Sequence, residues 1–394
     1  MPPWLVVLTS TFPRWPGDDQ PPFVLDLCLA LRERFRVLIL APHADGAVEE
    51  EDFSGLRVLR FRYAPEALES LCYGSGILAN LRQRPWRLCL LPGFFLAMSA
   101  ALRRVLSQIG REPVVVHAHW FFPQGFVAAR QAARAKVPFA VTAHGSDILR
   151  LRGRFWDGLH RYCLRRAQLV TAVGPELIAR LESLGANQPY LLPLGVASHF
   201  FDFSENGREE GRLLFVGRFV PDKGVLDLLV AFASIASDFP ELRLCLAGDG
   251  SERRALEQVA ALAGVGGRLE FLGWLGHEEL VEQLHRATIV VAPSHSEGFG
   301  LAVAEAMACG CTLLVSDLPA FRGLDGGTGS LTFFPPGDRE SLSKRLGEML
   351  RDRQRRLIQA ERARIRAMDF RQEALAEGYA RQLLRLLSEG GADR

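Results

Sequence analysis

Residues 289–315 read Ile289-Val-Val-Ala292, then Pro293-Ser-His-Ser-Glu297-Gly-Phe-Gly300, then Leu301-Ala-Val-Ala-Glu305-Ala-Met-Ala308, then Cys309-Gly-Cys-Thr312-Leu-Leu-Val315. The first four residues are a short apolar, β-branched run, which predicts a buried strand. A loop containing glycine ends it. Residues 301–308 predict a helix, and 312–315 a second strand. Strand, loop, helix and strand in so short a span make a βα unit, whose strands lie parallel in one sheet.

The same unit recurs outward from this stretch. In the second half, strands are predicted at 213–216, 242–247 and 269–272. Helices are predicted at 224–237, 252–263 and 277–285. In the first half, strands fall at 4–9, 37–40, 56–60, 114–118, 139–142 and 169–172, with helices at 23–34, 95–109, 125–135 and 175–183. Residues 193–212 break the pattern with Pro, Gly, Ser and acidic residues and predict a linker. The tail at 341–389 is expected to be helical throughout. The expected fold is therefore α/β, with two doubly wound Rossmann-like domains at 1–195 and about 205–370, followed by a terminal helix at 371–394.

Composition agrees with two domains. At roughly 150 residues per domain, 394 residues suggest two or three. A hydrophobic share of 48% with 23% charged residues excludes a disordered chain. The formal charge of +2, from 47 basic and 45 acidic residues, is too balanced for nucleic acid as the main partner. The seven cysteines form no Cys-x-x-Cys pair and are expected to be small core residues in a reducing compartment. The apolar run 4–8 is too short for a signal-peptide core. The run 88–102 is shorter than the roughly 20 residues of a membrane span, and Pro92 and Gly93 are expected to interrupt it. A soluble, cytoplasmic protein with one unexplained apolar region is the expectation.

Parallel sheets bind ligands beyond the carboxyl ends of their strands, so the residues after each strand matter most. After 289–292, Gly298 and Gly300 allow close approach to the backbone. The free amides at the start of the next helix, at Leu301, suit an anion such as a diphosphate. Glu297 lies in the loop, and Glu305, one turn into the helix, can accept two hydrogen bonds from a polyol. After 213–216 comes Gly217-Arg218-Phe-Val-Pro-Asp-Lys223-Gly224. A planar guanidinium and a point-charge ammonium there can converge on one phosphate pair. Gly248-Asp249-Gly250 ends another strand. In the first half, Thr11-Phe-Pro-Arg-Trp-Pro-Gly17-Asp18-Asp19, His117-Ala-His119-Trp120 and Thr142-Ala-His144-Gly145-Ser146-Asp147 also follow strands. His117 is expected to be packed at its strand end. No carboxylate or thiolate accompanies the three histidines at metal-ligand spacing, so no metal is expected.

Together these motifs resemble the retaining glycosyltransferases of family 4, which have the GT-B fold, two Rossmann-like domains facing a cleft. The E-x7-E pair Glu297 and Glu305 is the most specific part. The segments around Phe12, His119 and His144 are similar to a branch that builds bacterial surface polysaccharides. The resemblance implies a retaining hexosyltransferase using a nucleotide-sugar donor, UDP- or GDP-linked, and a glycan or lipid-linked acceptor, with no cofactor. The first domain would bind the acceptor and the second the donor, and the terminal helix at 371–394 would pack back on the first domain. Arg218 and Lys223 would hold the donor diphosphate and Glu305 the ribose. Glu297 with Gly298, Phe299, Gly300 and Leu301 would hold the donor sugar and its phosphate. Gly17 and Gly250 would line the donor. His144 would lie beside the sugar, with Asp18, His119 and Asp147 on the acceptor side. Two departures stand out: Pro193-Leu-Gly-Val-Ala197 replaces the usual Pro-Asn-Gly-Val-Asp, and the loop after Val315 lacks Gly-Gly-x-x-Glu.

Competing expectations are another GT-B enzyme, such as a sugar-nucleotide epimerase or a phosphorylase, or a non-catalytic assembly scaffold. Basic residues among apolar ones at 77–109 and 150–166 add the expectation of a peripheral contact with an anionic membrane at the inner face of the cell membrane.

Overall fold

The computed structural model describes residues 1–18, 20, 22–74, 76–202 and 207–389. Asp19, part of the linker at 203–206 and the tail at 390–394 lie outside the described residues. The chain divides into two compact units, 1–195 with 372–394, and 196–371.

The first unit is built on an eight-stranded sheet. Its strands are β1 Trp4–Leu8, β2 Arg36–Pro42, β3 Glu50–Phe53, β4 Leu56–Phe61, β5 Val114–His119, β6 Phe139–Ala143, β7 Leu169–Ala172 and β8 Tyr190–Leu191. Their order is β3-β4-β2-β1-β5-β6-β7-β8. All pairings are parallel except β3 with β4. The central strands are apolar on both faces because helices cover both sides of such a sheet. Leu5, Val6, Val7 and Leu8 are all buried.

The second unit holds six strands: β9 Arg212–Val216, β10 Arg243–Ala247, β11 Leu269–Gly273, β12 Ile289–Ala292, β13 Leu313–Ser316 and β14 Thr332–Phe334. Their order is β11-β10-β9-β12-β13-β14, all parallel. The reversal of order between β9 and β12 is the switch point at which such sheets bind ligands.

Four expectations need correction. The tail is not one helix. Asp352 ends Arg339–Arg351 and caps Arg353–Ala367 by accepting from the Arg355 amide, and a 3-10 turn at Met368–Phe370 precedes Gln372–Glu389. That last helix packs in the first unit's core through Ala376, Tyr379, Ala380 and Leu383. Pro92 and Gly93 do not interrupt the apolar run. Pro92 sits in the first turn of Leu91–Ile109, where its missing N–H costs nothing, and the 3-10 turns of Pro85–Leu90 lead straight into it. The helical stretch Pro85–Ile109 is thereby long and apolar enough to cross a membrane by length and composition. Cys89 on this stretch is exposed, whereas the other six cysteines are buried; all seven are free thiols. Finally, β3, β8 and β14 were not legible. Residues 50–53 are Glu-Glu-Asp-Phe, an edge strand without an apolar run.

Candidate functional site

In the second unit, three strand-end loops are pressed together by backbone contacts. A side chain at Gly248 would sit 2.0 Å from the Gly217 carbonyl oxygen, and one at Gly224 only 2.1 Å from that of Pro293. Both glycines also hold positive φ, 129° and 64°. Glycine is needed there for two loops to touch. The Phe219 amide donates to Asp249 O at 2.9 Å, and the His295 amide to Asp222 O at 2.8 Å.

This stitching sets the charged residues. Lys223 Nζ donates to a Glu297 carboxylate oxygen at 2.5 Å, and the Ser294 hydroxyl reaches the same oxygen at 3.4 Å. Arg218 is exposed in the same loop as Lys223. Gly298 and Phe299 lead to Gly300, which begins the helix Leu301–Ala308 in a left-handed conformation and packs against the Phe321 ring. Phe299 is buried, with its ring 5.8 Å from that of Phe370. Glu305 is half-buried on that helix, one turn from Leu301. Gly250 faces the Phe219 carbonyl oxygen, which a side chain would meet at 2.4 Å, so its lack of a side chain serves loop packing.

Sequence reading missed a second charge cluster in the same unit. Asp227, in the first turn of Val225–Ile235, is buried. One of its oxygens lies 2.7 Å from His295 Nε2 and the other accepts from Arg339 Nε at 2.6 Å. Glu252 faces Asp227. Burial, then the Asp227 charge, raises its pKa. The available signal was His295 inside the glutamate loop, two residues before Glu297. Nothing local marks Asp227 or Arg339 as its partners.

In the first unit, the end of β5 carries His119 and the first residue after β6 is His144, and the two lie side by side. His119 Nδ1 and His144 Nε2 are 2.9 Å apart, with the rings stacked at 25°. The Trp120 and Phe23 rings lie 4.7 and 5.2 Å from that of His144. Burial holds His144 well below the usual imidazole range, with His119 adding to it, and pushes His119 down to about 3. Both are neutral near pH 7, so one donates to the other. His117 is buried behind them and bonds the Thr142 hydroxyl at 2.8 Å. A small pocket opens here, lined by Phe23, His119, His144, Leu194, Gln372 and Leu375 among others.

Asp147 and Asp18 need revising as acceptor-side contacts. Asp147 is buried, and its oxygens accept from the backbone amides of Phe121, His144 and Gly145 at 2.9–3.2 Å. It shapes the loop that carries His144. Asp18 binds the Arg14 guanidinium and amide, which folds the first loop on itself. Gly17, at φ 80°, has open space where a side chain would be. Among the described residues no cluster of His, Cys, Asp and Glu is placed to hold a metal ion.

Comparison with known proteins matches these two halves separately. Residues 21–195 match the glycosyl transferase 4-like domain, and 199–366 match glycosyl transferases group 1. An uncharacterized glycosyltransferase of Methanocaldococcus jannaschii is 31% identical over 199 residues, 50% of this chain and 53% of that protein. The phosphatidyl-myo-inositol mannosyltransferase of Mycolicibacterium smegmatis is 31% identical over 252 residues, 61% of this chain and 63% of that protein. The chain thus spans less than two thirds of the length of these curated relatives. Among solved structures, sucrose-phosphate synthase from Thermosynechococcus elongatus superposes with a TM-score of 0.79 at 22% identity, covering 98% of this chain and 99% of that one. Anabaena HepE, solved with UDP and glucose, superposes with a TM-score of 0.74 at 18% identity, covering 97% and 100%. At these identities the structures establish the fold. The chain is therefore similar to a glycosyl transferase 4-like domain over its first half and to group 1 glycosyl transferases over its second, and its two Rossmann-like units have the GT-B fold.

Proposed function

We propose that this protein is a retaining, metal-independent glycosyltransferase. It moves a sugar from a UDP- or GDP-linked donor to a glycan or lipid-linked acceptor in bacterial surface polysaccharide synthesis, in the cytoplasm. The observation that carries the reading is the Lys223–Glu297 contact at the switch point of the second sheet, beside Arg218 and the start of the helix at Leu301. Two cations and oriented amides stabilise a leaving diphosphate without a metal. Glu297 and Glu305 offer acceptor oxygens for the sugar and ribose hydroxyls.

The proposed chemistry is same-face substitution. The bond from the anomeric carbon to the diphosphate oxygen breaks as the acceptor oxygen forms its own bond on that face. The departing phosphate oxygen takes the acceptor proton, while Arg218 and Lys223 hold the developing charge. In the first unit, the neutral His144 beside His119 supplies a hydrogen-bonding group on the acceptor side. A nucleotide donor is supported by the UDP-containing structure of HepE, and a lipid-linked acceptor by the name of the mycobacterial relative.

The test is a panel of UDP-, GDP- and ADP-sugars, measured by calorimetry and by slow hydrolysis. One donor is expected to bind and turn over, releasing sugar with its anomeric configuration kept. Absence of binding across the panel, or turnover that needs inorganic phosphate, overturns the proposal.

A further inference from the structure

Charge is unevenly distributed along this nearly neutral chain. Residues 70–166 hold fifteen basic and three acidic residues, whereas the remainder holds 32 and 42. The three carboxylates are already engaged. Glu112 pairs with Arg36, Asp157 with Arg180 at 2.5 Å, and Asp147 is buried in its loop. Arg82, Arg84, Arg103, Arg104, Arg152 and Arg154 are exposed and enter no ion pair among the described residues.

The same stretch exposes large apolar side chains. The helix Leu91–Ile109 buries one stripe, including Phe94, Met98, Leu102, Val105 and Ile109, in the first unit's interior. Its opposite face carries Leu96, 72% exposed, with Arg103 two turns further along. Trp86 and Leu88 are exposed on the preceding turns. Only 28% of the most apolar part of Pro85–Ile109 is buried. On a separate helix, Arg154–Leu164, Phe155 is 70% exposed beside Arg152 and Arg154.

An aromatic row joins the two helices. The Phe95 and Phe122 ring centres are 5.4 Å apart, Phe122 and Trp156 5.0 Å, and Trp156 and Phe155 5.3 Å. Phe95 and Phe155, 60 residues apart in sequence, are thereby linked, so the two segments adjoin, and their exposed basic and apolar side chains are read together as one face.

We propose that this face docks the protein peripherally on an anionic lipid bilayer. Cations clustered without opposing carboxylates draw it to anionic headgroups, and Trp86, Leu88, Leu96 and Phe155 enter the boundary below them. Nucleic acid would satisfy the arginines but not the exposed leucines. A spanning role conflicts with the buried stripe, which ties the helix to the sheet beneath it. Phe122 lies two residues from Trp120, whose ring packs on His144, so the face adjoins the His119–His144 pair read above as acceptor-side. That last link rests on the proposed transferase function; the docking itself does not.

The experiment sediments the full chain with phosphatidylcholine vesicles, with or without roughly 30% phosphatidylglycerol, at low and high salt. Pelleting is expected with the anionic vesicles at low salt, and release at high salt. Replacing Arg82, Arg84 and Arg154 together with Ser is expected to weaken partitioning about tenfold or more. The variant Leu96→Ser with Phe155→Ser, of unchanged charge, is expected to weaken it as well. Both variants should melt normally and bind the donor found in the sugar-nucleotide panel as the wild type does. Wild-type protein left in the supernatant with anionic vesicles overturns the proposal. So does equal pelleting with neutral vesicles, or normal binding by the Leu96/Phe155 variant with displacement by RNA or glycerol phosphate. Donor binding is read separately, so failure of the docking surface and failure of the transferase reading are distinguishable.

Discussion

Lys223 Nζ stands 2.5 Å from a Glu297 carboxylate oxygen, across 74 residues of chain. The pair joins the loop after β9 to the loop after β12, on either side of the sheet's reversal of order. An ammonium carries three N–H donors, so one contact to Glu297 leaves two for a phosphate. Replacing Lys223 or Arg218 with Ala is expected to lower turnover about 10²-fold or more, the effect of removing one transition-state donor. Circular dichroism and melting should change little, because both side chains lie on loops. Near-normal turnover of either variant with the correct donor contradicts the assignment.

The proposed charge stabilisation by Arg218, Lys223 and helix amides leads to a second expectation. Turnover should persist in excess EDTA. Complete loss that Mg²⁺ or Mn²⁺ restores would show that a metal carries the diphosphate charge.

Asp227 is the buried anchor shared by His295 and Arg339. Substituting Ala leaves both partners without their acceptor and is expected to destabilise the second unit by about 2 kcal/mol, in the range for hydrogen bonds to charged groups. Because His295 also bonds the Asp222 carbonyl oxygen through its amide, Asp227→Asn should loosen the glutamate loop and raise the KM for the donor more than it lowers kcat. Combined with His295→Ala, the effect should be less than additive. Full additivity in that cycle would show that Asp227 acts elsewhere.

The histidine cluster makes stability depend on pH. Burial lowers the pKa values of His117, His119 and His144, so the folded unit holds fewer protons than the unfolded chain, where histidine titrates near 6.5. Stability is therefore complete above that value and falls as pH drops toward about 3, where His119 itself protonates in the folded state. Each such histidine contributes up to about 1.4 kcal/mol per pH unit. Denaturant unfolding at pH 7 and pH 5 should show His119→Asn losing about 2 kcal/mol less than the wild type over that interval. An unchanged pH dependence would remove His119 from this role.

By itself, the sequence determined what depends on neighbours along the chain. Short β-branched apolar runs such as residues 114–116 and Ile289–Ala292, too short for helices and flanked by turn residues, predict buried strands, and glycine loops leading into helices mark their carboxyl ends. The alternation of βα units and the strand-end placement of Lys223, Glu297 and His144 follow from that local pattern. Tertiary structure alone decided what depends on distant pairing. The acidic edge strand Glu50–Phe53 exists because its backbone pairs with Leu56–Phe61. The resemblance implied that the terminal helix returns to the first domain, but only the structure shows how: the apolar stripe of Gln372–Glu389 fits that core and Arg34 meets Glu377. Asp227, His295 and Arg339 lie 68 and 112 residues apart and have no periodicity to betray their contact. Likewise, only packing turned Asp147 inward, and only the row from Phe95 to Phe155 made one face of two basic segments. Periodicity reports which side of an element is buried; it carries no information about which partner a buried charge or an exposed ring will meet.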